Sequence, residues 1–213
     1  MTKASLAKSE SQYGVHPGVA MVQKWLAELK EETGRSMEEW IALVKKKEGP
    51  KDEKSRRDWL KTKHQIAPNS ASWIAERAEG KGGDEDTPEI YLKAAVRYVE
   101  EQYAGQKEKL RPIFVELLTL GKSLGGDVKA CPCKTIVPLY RRHVFAQIKP
   151  TTNSRIDLGF ALTHYKGKLP KRLIDTGGLA KKDRITHRIE ITAAEQIDGE
   201  VKKWLKTAYD LDA

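Results

Sequence analysis

The chain has 213 residues, 39 of them Lys or Arg and 30 Asp or Glu, for a net charge of +9 with 39% hydrophobic and 32% charged residues. That balance excludes a wholly disordered chain, and no apolar run reaches the roughly 18 residues that a membrane helix requires. The first residues are polar rather than export-like and Cys131 and Cys133 are the only cysteines, so the sequence predicts a cytoplasmic protein with no disulfide framework and no membrane partner.

After a Ser- and Lys-rich tail (1–12), Pro17 opens a run in which Val19, Val22, Leu26 and Leu29 recur at helical spacing, which Gly34 should stop. Ser36 and Glu39 form a capping box for a second helix carrying Trp40, Ile41 and Val44, ended by Gly49-Pro50. Asp52 should cap a third helix and Asn69 a fourth, giving an all-helical module over 13–79. Four of its residues are tryptophans (Trp25, Trp40, Trp59, Trp73). In so small a module they serve better as core than as a ligand cage. The last two helices have helix-turn-helix spacing, but Lys61 and Gln65 depart from the pattern and the second helix carries Glu76 and Glu79 against Arg77. Protein docking is therefore the role expected of this module.

The acidic, Gly-rich linker 80–87 should separate it from a basic domain over 88–213. Charge supports that division. Residues 1–90 hold 16 basic and 16 acidic groups, so the remainder holds 39 − 16 = 23 basic against 30 − 16 = 14 acidic ones. Thr87-Pro88 starts a helix, another follows through Leu110 to Leu124, and from Val128 the apolar period shortens to two. Residues 143–149, 155–160 and 184–191 alternate as strands, while 134–140 reads as an edge strand because Pro138 cannot donate to a ladder. Thr192 and Glu195 read as a second capping box, opening a final helix with an apolar stripe (Ile197, Val201, Trp204, Leu205, Ala208). The fold class predicted is α+β, an antiparallel sheet covered on one face by helices.

Strict alternation would turn His143, Phe145, Gln147, Lys149, Arg155, Asp157, Arg184 and Arg188 onto one charged face, next to a Gly-rich loop carrying Lys181 and Lys182. Apart from Phe145, these are the candidate binding residues, and the partner they imply is nucleic acid or another anionic ligand. The loop lacks P-loop spacing, and a lone aromatic makes a poor stacking platform for bases. Cys131-Pro132-Cys133 invites a metal or redox reading, but His143 and His187 fall on opposite faces, so two buried or half-buried thiols are expected and no metal or cofactor. Nothing announces a nucleophile with its base, and no catalytic residue is assigned. An enzyme or chaperone handling a small molecule or metal with the sheet face and the Cys-Pro-Cys segment is the alternative.

The stretch GVHPGVAMVQKWLAELKEETGRSMEEWIALVKKKEGPKDEKSRRDWL, followed by ASWIAERAEGKG, resembles a small helical bacterial domain, domain of unknown function 4287. CPCKTIVPLYRRHVFAQIKPTTNSRIDLGFAL with LIDTGGLAKKDRITHRIEI resembles domain of unknown function 5655. The resemblance implies a two-domain layout and assigns no chemistry.

Overall fold

The computed structural model describes residues 12–46 and 49–213. They divide into two compact units, one running from His16 to Tyr91 and the other comprising Leu92–Ala213 with the stretch up to Val15. The tail lies almost wholly outside the described residues. Residues 13–15, read above as the start of the helical module, belong with the second unit, where the Gly14 amide donates to the Ala130 carbonyl at 2.9 Å.

The first unit contains α1 (Gly18–Thr33), α2 (Met37–Val44), α3 (Glu53–His64) and α4 (Pro68–Ala78). Its boundaries follow local chemistry. Gly34 ends α1 in the left-handed conformation, which glycine adopts without Cβ cost. Ser36 and Glu39 form the capping box of α2, and the Asp52 side chain accepts the Ser55 amide at the start of α3. Two boundaries differ from the sequence reading. The α2 helix stops at Val44, short of Gly49, and α4 starts at Pro68 with Ala67 as N-cap, so Asn69 lies in its first turn. Proline's fixed φ suits that first turn and outweighs the cap that Asn69 offers. Trp40, Leu60, Ile74 and Val44 are fully buried, with Trp25 and Trp59 packed against the same core. Arg77 is paired with Asp86 and lies 5.6 Å from the Trp25 ring centroid, so α4 does not present it as a free base reader.

Helix α5 (Pro88–Gln102) begins where Thr87 Oγ1 accepts the Ile90 amide at 3.2 Å, and the division between units falls within it. A 3-10 turn (Gly105–Leu110) leads into α6 (Arg111–Lys122). The sheet has strands β1 (Lys129–Ala130), β2 (Val137–Tyr140), β3 (Val144–Thr152), β4 (Arg155–Phe160), β5 (Ile174–Asp175) and β6 (His187–Ile191) in the order β1-β2-β3-β4-β6-β5. Every neighbouring pair is antiparallel. The closing helix is α7 (Gly199–Leu211), capped by Asp198, which accepts the Glu200 and Val201 amides at 3.0 and 3.1 Å. The capping box read at Thr192 and Glu195 does not form. Gln196 takes that position instead, its Oε1 2.7 Å from the Thr192 amide. The stripe Val201, Trp204, Leu205 and Ala208 is buried as expected, and α7 packs on β3 and β4.

The strand of Pro138 is not the edge. The two-residue β1 lies outside it, pairing Ala130 with Leu139. A strand residue's N–H and C=O point to the same side, and the Pro138 carbonyl accepts from Cys131 at 3.0 Å, so the missing donor faces the frayed edge strand where it costs least.

Candidate functional site

The sheet register decides which charged side chains meet. Lys149 pairs with Asp157 and Asp157 with Glu190, while Gln147 pairs with Gly159 and Gly159 with Arg188. Arg155 Nε lies 2.9 Å from Asp157 Oδ1, and Arg155 Nη1 lies 2.9 Å from Glu190 Oε1. Arg188 Nη1 lies 2.9 Å from Asp157 Oδ2 and 2.7 Å from Glu190 Oε1. Two guanidinium groups and two carboxylates thus close a lattice of zero net charge. Asp157 is 9% exposed and also accepts from Thr151 Oγ1 at 2.8 Å. The sequence pattern places Arg155, Asp157 and Arg188 together, as the structure does, and puts Glu190 on the same charged face, but the candidate binding residues leave out this acid, which neutralises the arginines. It sits two residues from Arg188 in the same alternation, so the signal was in the sequence.

His143, Phe145 and Arg184 do not share that face. Leu139 pairs with Ala146 and Tyr140 with Val144, leaving Phe145 as the extra residue of a β-bulge. One inserted residue inverts side-chain parity for everything before it. Phe145 is therefore fully buried, its ring edge-on to Tyr209 of α7. The His143 Nδ1 lies 3.0 Å from Asp212 Oδ1, just beyond the end of that helix. Arg184 is also there, donating from Nη2 to Asp212 Oδ1 at 2.7 Å and from Nε to the Val144 carbonyl at 3.1 Å. The regular strand begins only at His187, so the alternation read back to Arg184 does not hold. Ile185 turns over Gly159 on the charged side, where a Cβ on that glycine would lie 2.6 Å from Ile185 Cγ2.

The Asp212 carboxylate is almost fully buried and accepts from the His143 amide at 2.7 Å, while the His143 ring is largely exposed. Asp212, Arg184 and Lys182 line a cleft of about 280 Å³ with His164 and Asp183. Lys182 holds a left-handed φ of 60°, and Lys181 is exposed beside it in the Gly-rich loop. Here the charges alternate in sign.

A different cleft, of about 490 Å³, gathers lysines that sequence reading did not connect. Lys107 comes from the 3-10 turn, Lys134 from the segment before β2 and Lys149 from β3, with Glu101 the one acid in the lining. Gly105, at a left-handed φ of 59°, lets the chain reverse after α5 and carry Lys107 back. Lys107 Nζ donates to the Pro150 carbonyl at 2.7 Å. Lys134 and Lys149 are exposed and form no ion pair among the described residues. Lys149 is opposite Asp157 in register, but both oxygens of that carboxylate are already held by arginines. Gln102 is 7% exposed and lines the same cleft. Its Nε2 donates to the Cys133 carbonyl at 2.7 Å, leaving its buried Oε1 without a partner among the described residues. An unmet buried acceptor costs about 1–3 kcal/mol.

The thiols are buried at Cys131 and half-buried at Cys133. Burial first, then the neighbouring Cys133, pushes the Cys131 thiol up to about 12, so it carries no thiolate near neutrality. Among the described residues no group of three or more His, Cys, Asp or Glu is placed to hold a metal ion. No helix among them is long and apolar enough to cross a membrane.

A family model described as Domain of unknown function (DUF5655) matches residues 99–212. The chain belongs to that family. Its basic α+β region is thus the DUF5655 domain, and residues 21–80 match a second model, Domain of unknown function (DUF4287), in agreement with the two-part layout. No curated protein and no solved structure matches the chain.

Proposed function

We propose that the DUF5655 domain is a non-enzymatic cytoplasmic binding module for an anionic ligand, taken up in the cleft of Lys107, Lys134 and Lys149, and that the DUF4287 domain docks a protein partner. The observation that carries the first part is that three lysines from three separate segments line one cleft whose lining holds a single acid, Glu101. Clustered lysines from different elements repel one another and do not assemble for packing, whereas an anion between them converts that repulsion into attraction. The arginines of the sheet centre favour this reading indirectly, since Asp157 and Glu190 already occupy them.

Titration calorimetry with inorganic phosphate in dilute buffer tests the proposal. Replacing Lys134 and Lys149 together by Ala should weaken binding by about tenfold or more, as expected for losing two partly screened charges, and added salt should weaken it further. Absence of phosphate binding in dilute buffer, or indifference to the double replacement, would overturn it.

A further inference from the structure

We infer that Cys131 and Cys133 together form a two-thiolate site for a soft monovalent metal ion, copper(I). The inference is independent of the anion-binding reading and rests on how the Cys-Pro-Cys segment is held. Strand β1 ends at Ala130, but its ladder goes on: the Cys131 amide donates to the Pro138 carbonyl at 3.0 Å and the Cys133 amide to the Ile136 carbonyl at 2.8 Å. Two amides, two residues apart, that both bond toward β2 put their side chains on one face of an extended segment. Pro132 between them fixes φ and has no amide hydrogen to satisfy. Lys129 and Tyr140, opposite each other in register, fall on that same face.

Neither sulfur is in a disulfide, and the extended backbone disfavours one. A strand advances about 3.3 Å per residue, which sets the two Cβ atoms roughly 6.5 Å apart, beyond the about 3.5–4.5 Å of a disulfide. Sulfurs on opposite sides of one metal ion stand about 4.6 Å apart at ordinary metal–thiolate lengths, and side chains rooted at that spacing reach this by leaning together. Cys133 Sγ leans back in this sense, lying 3.7 Å from the Cys131 carbonyl oxygen. Zinc takes four ligands, whereas copper(I) is satisfied by two soft sulfurs, and among the described residues no set of three or more His, Cys, Asp or Glu is assembled. The Val15 carbonyl lies 3.7 Å from Cys131 Sγ and roofs the buried thiol, while the half-buried Cys133 gives the way in. Both thiols keep their protons in the metal-free chain, Cys131 donating to the Val15 carbonyl and Cys133 to that of Cys131. Binding forms two copper–sulfur bonds, breaks two S–H bonds and releases two protons, with no electron transferred. The complex carries one negative charge. Burial and Cys133 raise the Cys131 thiol while Lys129 opposes them, so that lysine is near enough to offset the charge.

The test titrates the reduced full-length protein with copper(I), in the absence of oxygen, against a chromophoric copper(I) chelator. One ion should be taken up per chain with two protons released into weak buffer, and X-ray absorption should find only sulfur bound to it. Cys133→Ser, at the half-buried position, should weaken uptake by at least about tenfold, and so should Cys131→Ser if circular dichroism shows that it folds. Phosphate binding should be unchanged in Cys133→Ser, which keeps this inference apart from the anion-binding reading. Failure of the native protein to take up copper(I) would overturn the inference and needs no variant to fold. Uptake undiminished in Cys133→Ser, nitrogen or oxygen bound to the ion, or displacement of copper(I) by an equal concentration of zinc would overturn it as well.

Discussion

Replacing Arg188 by Ala separates two roles for the sheet arginines. In the native protein its Nη1 lies 2.9 Å from Asp157 Oδ2 and 2.7 Å from Glu190 Oε1, with the Arg188 side chain 26% exposed and that of Asp157 12% exposed. Two ion pairs would be lost, each worth about 0.5–1 kcal/mol at this partial exposure. Asp157 would keep Arg155 and Thr151, so the penalty for an uncompensated buried charge is partial, roughly 1 kcal/mol against the 3–5 of a fully broken buried pair. The sum is about 2 kcal/mol, or roughly 4–8 °C in Tm at the usual entropy of unfolding for a unit of this size. Urea denaturation followed by circular dichroism measures the first quantity, and calorimetry with inorganic phosphate measures the consequence for binding. Stability should fall while phosphate affinity stays within about twofold, because Arg188 does not line the lysine cleft. Unchanged stability together with a tenfold loss of phosphate affinity would refute the argument, showing the arginine to be spent on ligand rather than on its neighbours.

Gly159→Ala should cost about 1–3 kcal/mol in the same denaturation assay, since its Cβ would sit 2.6 Å from Ile185 Cγ2; Ile185→Ala in the same chain should recover part of that loss, and additive costs would contradict the packing. Asp212→Ala removes the acceptor of the His143 amide and of Arg184 and should destabilise by about 2–4 kcal/mol, detected as early fraying of α7 in hydrogen exchange. Alkaline pH should weaken the fold in a defined window. Burial raises Cys131, Tyr13 and Tyr140 to about 12 each. Because these folded values exceed the unfolded ones near 9 to 10, their stabilisation is complete below that range and is lost as pH rises toward 12. Urea midpoints measured from pH 8 to 11 should therefore decline, and a flat profile would contradict the burial. Iodoacetamide at pH 8 should leave Cys131 unmodified in the native protein and alkylate it after unfolding, as mass spectrometry of peptides would report.

Local signals in the sequence were sufficient wherever a decision depended on a few neighbouring residues. Gly34, the Ser36 and Glu39 box, Asp52 and Thr87-Pro88 each satisfy or omit backbone groups within one turn, so their consequences follow from chemistry alone. The apolar stripe of α7 and the alternation of β4 were legible for the same reason, and so was the α+β class, whereas the division between the compact units falls inside α5 rather than at the acidic linker. What the sequence could not supply was parity along β3 and before β6. A bulge at Phe145 depends on how β2 and β3 match across the ladder, and the irregular entry to β6 depends on a buried Asp212 that attracts Arg184 from 28 residues away. Both are long-range choices, and each reverses the face to which earlier side chains belong.

From sequence alone the chain determined that it would form a neutral helical domain and a basic antiparallel-sheet domain, because period, caps and charge are properties of short segments. Only tertiary structure decided where the excess charge is usable. Arg155 and Arg188 are neutralised by acids brought in by strand pairing, and Lys107, Lys134 and Lys149 become neighbours through the reversal at Gly105 and the end of the β3–β4 hairpin. A charge is available to a ligand only when the fold leaves it unpaired, and pairing is a property of distance in space rather than of position along the chain.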